Sequence, residues 1–562
     1  MVAIRHIVEV NNVESGSRPV TSTSMAIIGL IGTAPMHHVN EVDRTINKPV
    51  DIRNLDQARR YFGPRRPGYT IPAALDAIFA KVSNTGGVRV IVVNVLDVNG
   101  LQESTNIANT ELIFTNNTIH LPYDVSGVVI TDDEVGTTTY VENTDYTLDV
   151  NSGIITRIDD EGIVPGATVF VSYSYPSGAH KTTVTAQENT FATNDTFQLN
   201  EGLSEVTLTN VGNTMTYDRD IDYVLDEVSG KITRITTGAI APGATVKTTY
   251  THVDPSIVQL SDIIGGYEDG DRVGLQAFID SYVLLGGIFP RIIDAGAYSA
   301  LEPVSDAIAA LCDNIDAMAV INAPSGTTHA DLIAGRGPAG IINWYTQSKN
   351  LVLVAPRVLV RDSFLNATIA EPLSSHYAGA WANLVGEKRN PAESPSSIEI
   401  VGIEGFEQNF SYLPGRIDNE IHALNEVGIC TYRPSLNSYQ LFGNRSAAWP
   451  SSTYPTNFIS VRFVEIFLAS SFQRFLEQFQ DRRITQSLIL TIKDSGQTFI
   501  DGLINEGILI DGRFYYDPNN NPAIQIATGK LVFNLEWASP TPAENIVMRS
   551  TYSVSLLNAI NN

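Results

Sequence analysis

Cysteine is nearly missing from this 562-residue chain, which holds only Cys312 and Cys430. Both sit among apolar neighbours (AALCDNI and VGICTYR), which marks them as buried reduced thiols and excludes a disulfide framework. Nine scattered histidines do not complete a zinc site around so few thiols. Positive charge is also scarce. Lys and Arg number 36 against 61 Asp and Glu, a formal net charge of −25 that argues against nucleic acid and anionic membranes as partners. No run approaches the roughly 18 apolar residues of a membrane span, and MVAIRHIVEVNNV lacks the long apolar core of a signal peptide. The expectation is a chain that folds in a cytoplasm, does not insert into membranes, and stays soluble until it assembles.

Catalytic signatures are missing too. There is no G-x-S-x-G, no H-E-x-x-H and no Cys/His nucleophile setting. GRGPAG (335–340) lacks the Walker lysine-serine pair and reads as a loop leading into a helix. His37-His38 would hold a metal only with ligands from far along the chain, and they read as loop histidines. DPNNNPA (517–523) is a turn by composition. No catalytic residue, cofactor or metal ligand is assigned, and a hydrolase with a Rossmann-like core finds no motif in its favour.

What is present is a folded composition, 43% apolar and 17% charged, in a chain long enough for about three or four domains. Residues 1–24 read as an arm and linker, with Ile4, His6, Val8 and Val10 alternating as an exposed strand; a frayed terminus is the competing reading. Residues 25–100 carry strand MAIIGLIG, helices LDQARRYFG and TIPAALDAIFAKVS, and the apolar strand VRVIVVNVLD. The pattern resumes over 256–370 with candidate helices RVGLQAFIDSYVLLG, EPVSDAIAALCDN and AGIINWYTQS and strands DAMAVINAP and NLVLVAP. Alternating helices and buried strands predict one discontinuous α/β domain, 25–100 plus 256–370.

The stretch between is different. DYTLDVNSGIITRI (145–158) matches DYVLDEVSGKITRI (222–235), and PGATVFVSYSY (165–175) matches PGATVKTTYTH (242–252). Each copy carries strands separated by S-G and P-G turns, which predicts two tandem all-β domains, 101–180 and 181–255. They hold 12 acidic against 1 basic and 10 against 5 residues, so they carry −16 of the total charge. The expected role is an outward, solvated decoration. Calcium clusters at TDDE (131–134) or IDDEG (158–162), or a glycan-binding face on a virion surface adhesin, are the sharper alternatives, but no EF-hand spacing is present.

The final segment, 371–544, opens with PLSSHYAGAWANLVGEKRNPAESPSSIEIVGIEGFE (372–407), continues through LNEVGICTYRPSLNSYQLFGNRSA (424–447), and then gives two helices and two strands. Phe463, Phe467, Phe472, Phe475 and Phe479 form an aromatic stripe on the first of these helices, expected to pack in the core; Arg462, Glu465, Arg474, Glu477 and Arg482 occupy its other face. The segment 545–562 then alternates with nothing left in the chain to pair against, at Ile546, Met548, Thr551, Ser553 and Ser555.

These blocks resemble contractile tail sheath proteins of contractile-tailed bacteriophages and R-type tailocins. The resemblance rests on GTAP, YFG and VRVIVVNV in the first hundred residues, on Glu393–Ser396 followed by Ile400–Ile403, and on Gly428, Arg433, Gly443 and Arg445. Ser397 stands where the family's turn usually has asparagine. The resemblance implies a multidomain α+β and α/β fold with a sheath-type C-terminal domain facing a tail tube. It also implies a homo-oligomer of stacked, hexameric rings, with tail tube, baseplate and tail terminator proteins as partners. Residues 4–10 and 546–557 would add strands to neighbouring subunits, and some of the charges from Arg462 to Arg482 would touch the tube, a solvated helix face being the even alternative. Contraction would use energy stored in the lattice rather than a nucleotide, driving the tube through the host envelope.

Overall fold

The computed structural model describes residues 20–561 apart from 21, 81–86, 99–101, 115–116, 122–124, 135, 151–152, 159–161, 179, 269, 339, 341, 343 and 437. The arm positions Ile4, His6, Val8 and Val10 lie outside the described residues. The chain is mixed α+β and divides into two compact units, 23–453 and 454–562 together with 1–22. Among the described residues, no helix is long and apolar enough to cross a membrane.

The larger unit is organised by a nine-stranded sheet. Its strands are β1 (Ile27–Gly32), β2 (Val50–Ile52), β3 (Arg89–Asn94), β4 (Ile292–Asp294), β5 (Met318–Asn322), β6 (Leu351–Val354), β7 (Glu399–Ile400), β8 (Ile429–Ser435) and β9 (Ser438–Phe442), in the order 2-3-1-4-5-6-8-9-7. The six strands from β3 to β8 run parallel, and antiparallel pairs close both sides. The parallel strands are apolar along nearly their whole length because helices cover both faces. Among these helices, α1 (Glu302–Ile315) buries Val304 and Ile308, and α2 (Leu373–Lys388) buries Tyr377 and Trp381. A methyl on Gly379 would meet the backbone of Ile78 at 2.6 Å, so only glycine lets α2 lie against the helix Thr70–Phe79.

In parallel sheets of this kind, ligands usually enter at the carboxyl ends of the strands where the order reverses. Here that position is sealed by protein. Asp294, fully buried, accepts from Ser374 Oγ at 2.5 Å, Ser375 Oγ at 2.6 Å and Gly296 N at 2.9 Å. Asn322 donates to Gly296 O at 2.9 Å and Ser374 Oγ at 2.6 Å, and accepts from Ser374 N. Burial pushes the Asp294 carboxyl up from its usual value, against the pull of these donors.

Two expectations need correction. The family block after 370 is not a separate domain, because β8 pairs in parallel with β6 and extends the same sheet to Phe442; the division falls at 453. The described residues 344–348 are irregular rather than helical. Their carbonyls are taken by Arg336, which donates to Trp344 O at 2.5 Å and Thr346 O at 3.0 Å, and to Val427, Ala447 and Trp449 carbonyls at 2.7–2.8 Å. Desolvation lowers that guanidinium's pKa to about 10. GRGPAG accordingly follows a helix, His329–Gly335, instead of leading one.

Between β3 and β4 the chain leaves the sheet and builds two all-β modules. The first pairs a sheet of Gln102–Ile113, Thr168–Gly178 and Ser126–Thr131 with one of Thr118–His120, Ile154–Arg157 and Tyr146–Asp149. The second repeats it with Lys181–Thr190, Thr245–Val253, Leu203–Asn210 and Thr216–Tyr217 over Thr196–Gln198, Lys231–Arg234 and Tyr223–Asp226. Their separate cores keep one register: Phe114 and Phe191, Tyr146 and Tyr223, Ile155 and Ile232, Ile163 and Ile240, Val169 and Val246. Gly153 and Gly230 take φ of 68° and 73° at the S-G turns, a conformation that favours glycine. Arg157 and Arg234 are both buried and donate to the carbonyls of Ile163 and Ile240 at 3.0 and 3.1 Å. The one basic residue of 101–180 is thus inside, which leaves that module's surface without positive charge.

A neck at His180 ties the modules to the sheet. His180 N donates to Asp97 O, its Nδ1 accepts from Asp97 N at 2.9 Å, its O accepts from Asp254 N, and its Nε2 meets Asp262 at 3.0 Å.

Ser397 sits at φ 68°, in the left-handed region where asparagine is better tolerated than serine. This explains the family's preference at that turn. Ser397→Asn is expected to raise stability by about 0.5–1 kcal/mol, read as a shift in denaturation midpoint. An unchanged or lowered midpoint would refute this account of the turn.

Candidate assembly interface

The smaller unit is built from α3 (Ile459–Glu477), α4 (Gln486–Asn505), β10 (Asp511–Tyr516) and β11 (Phe533–Ala538). Its core is aromatic. Phe463, Phe467, Phe472, Phe475 and Phe479 are all buried. Phe472 stacks on Phe514 at 4.8 Å and meets Phe499 edge-on at 5.8 Å, and Phe514 stacks on Phe533 at 5.4 Å. This ladder joins both helices to the hairpin. A methyl on Gly496 would overlap the Phe514 ring, so α4 approaches the hairpin through a glycine.

The hairpin register places Gly512 opposite Trp537, Phe514 opposite Leu535 and Tyr516 opposite Phe533, so these pairs share the helix-facing side. Arg513, opposite Glu536, lies on the other side, where its Nε meets Glu536 at 2.7 Å and Tyr515 donates to the same carboxylate. Among the described residues this sheet has two strands, and both outer edges lack a strand partner. Two strands alone are marginally stable, and open edges present a row of backbone donors and acceptors to any extended chain.

After Ala538 the chain makes no ladder. Residues 539–553 are irregular, followed by a 3-10 helix, Val554–Asn561. Ile546 is 83% exposed and Met548 86%, and Val547, Tyr552, Val554 and Leu556 are comparably exposed. Thr551 and Ser555 are exposed, and Ser553 Oγ lies 2.7 Å from Ser555 Oγ. Six large apolar side chains held in water over eleven residues are a standing cost, since burying each contributes about 1.5–3 kcal/mol. The alternation seen in the sequence has no strand partner within the described chain.

The helix-face charges separate into two groups. Arg462 is 7% exposed and its Nη1 meets Glu465, whose side chain is partly exposed, at 2.5 Å. The first turns of α3 are buried apart from Glu465, which leaves Arg462 without a solvent face. Arg474, Glu477 and Arg482 are exposed near and beyond the helix end, with Arg482 lying 5.4 Å over the Phe479 ring.

Residues 102–193 match a family described as "Protein of unknown function UCP028589". The tail sheath protein of Burkholderia phage BcepMu is 34% identical over 544 residues, covering 96% of this chain and 95% of that protein. A putative prophage major tail sheath protein of Pseudomonas aeruginosa is 31% identical over 289 residues, 51% of this chain and 71% of that one. Among solved structures, the contracted helical sheath of the anti-feeding prophage aligns over 98% of this chain and 100% of its own, at 13% identity and a TM-score of 0.49.

Phe514→Ala is expected to cost about 3–5 kcal/mol, because it removes the ring that both helices and β11 share. Chemical denaturation of the full chain checks this. A loss below about 1 kcal/mol would mean that the hairpin is held by something other than the aromatic ladder.

Proposed function

The chain belongs to the tail sheath protein family, and from that premise we propose that it polymerises as stacked rings around a tail tube through strands lent between subunits. The observation that carries the proposal is the exposed apolar arm, 546–556, in a unit whose sheet has, among the described residues, two strands and no ladder on the outer edge of 533–538. Each deficit fits the other. Strand addition would pair the hairpin's edge groups by backbone hydrogen bonds, and the arm's alternate side chains would supply register and burial. Residues 4–10, with the same alternation in sequence, are proposed as a second arm. The irregular stretch 539–545 serves as a tether, so subunits can slide and turn while the ladder stays paired.

In this reading contraction needs no nucleotide, because the difference in packing between two lattice states supplies the work. The role is structural rather than enzymatic, and the sealed strand-end crevice at Asp294 supports it. Hexameric rings, a tail tube protein, and baseplate and terminator proteins are the proposed partners. The protein is proposed to be made in the host cytoplasm and carried in the virion. Arg474, Glu477 and Arg482 are the charges proposed to meet the tube. The two acidic modules are proposed as decoration, because both carry a net negative charge and the first has its one basic residue, Arg157, buried, which presents a repulsive surface to most neighbours.

Negative-stain microscopy of the purified chain is expected to show long hollow cylinders. Removing 545–562, or 1–20, is expected to leave a soluble chain that builds none; tubes from either truncation would rule out strand lending. Joining residue 100 to residue 256 is expected to spare the cylinders and thin their outer wall. Failure of that shortened chain to assemble, with its fold intact, would make the modules lattice elements instead.

A further inference from the structure

His37 and His38 close a short turn, Met36–His38, just after β1, and the ligand from afar that they lack in the sequence arrives from the second acidic module. Glu201 stands immediately before the strand Leu203–Asn210. Its Oε2 lies 2.8 Å from His38 Nε2 and 3.7 Å from His37 Nε2, and one donor atom from each of the three side chains falls within 4.8 Å of the others. The turn is built tightly: Gly202 has φ 69°, and a methyl there would meet His37 Cγ at 2.9 Å.

The His37 ring is 9% exposed, and neither of its nitrogens makes a hydrogen bond. An unpaired imidazole that deeply buried costs free energy, and its neighbours do not relieve it: the His38 ring centre is 4.5 Å away and Tyr69 is 5.8 Å away. We propose that His37, His38 and Glu201 form a binding site for one divalent transition-metal ion of the zinc class, which staples the module of residues 181–254 to the α/β sheet. This inference goes beyond the assembly role and does not depend on it.

The donor set suits such an ion. Two neutral imidazoles and one carboxylate are common zinc ligands, with water in the fourth position. Tetrahedral donors about 2.0–2.1 Å from zinc stand about 3.3 Å from one another, and the separations of 2.8 and 3.7 Å bracket that value. Arg66 Nε reaches both Glu201 oxygens, at 2.9 and 3.0 Å. It can keep Oε1 while Oε2 turns to the metal, which orients the carboxylate as outer partners do in other metal sites. The arginine's charge also works against a bound cation, so it should moderate the affinity.

The test titrates the full-length, chelator-treated chain with Co²⁺ and follows the visible ligand-field bands of four-coordinate cobalt. One equivalent should saturate the bands and zinc should displace it. His38→Gln and Glu201→Gln should each weaken binding at least tenfold, and Arg66→Gln should tighten it. Zinc should raise the thermal midpoint of the parent chain and not of the two ligand variants. Circular dichroism checks that each variant is folded; if one is not, the other and Arg66→Gln still decide. Absence of saturable one-to-one binding, or equal binding by parent and ligand variants, would overturn the site.

Discussion

An open β-edge is the constraint on which the proposed assembly depends. The small unit around 454–562 has a well-filled aromatic core and yet, among the described residues, stops at two strands; the Gln497 side chain bonds Gly512 O and Phe514 N on one outer edge, and the outer edge of 533–538 has no ladder. The same unit trails a segment with Ile546, Val547 and Met548 in water. Neither feature is stable in isolation in the usual sense, and each supplies what the other lacks. Among the described residues a single chain has not joined them, and joining them between chains, as proposed, would yield a lattice held by backbone hydrogen bonds that tolerate sliding and turning.

The larger unit shows the complementary strategy at the ends of its parallel strands, where buried polar groups are hydrogen-bonded to one another. Asp294, Asn322 and Ser374 satisfy one another where α/β enzymes keep a crevice, and Arg336 gathers five backbone carbonyls into a rigid corner. The acidic modules hang from a neck at His180 where three passages of the chain are hydrogen-bonded together. In the proposed assembly, scaffold, acidic modules and unfinished edge would divide the tasks of bearing load, staying soluble and joining neighbours.

Features written into local pattern were legible in the sequence. The Val/Ile runs gave the parallel strands, the 77-residue repeat gave two β modules with matching cores, and the phenylalanine stripe gave the core of the small unit. The rest depended on contacts between distant residues. Arg462 looked like a surface charge by its helical position, but the first turns of α3 are buried nearly all round. AGIINWYTQS has the apolar spacing of a helix, but Arg336 claims its carbonyls. The expected boundary at 370 followed a family block rather than the sheet, which continues to Phe442. Glu201 lies 163 positions from His38, so sequence spacing could not bring them together.

Amide hydrogen exchange compared between assembled cylinders and unassembled chains tests strand lending most directly. The account predicts that amides within 546–556, and those on the outer edge of 533–538, exchange quickly in the free chain and become strongly protected on assembly. Cylinders in which 546–556 exchanges as fast as in the free chain would contradict it.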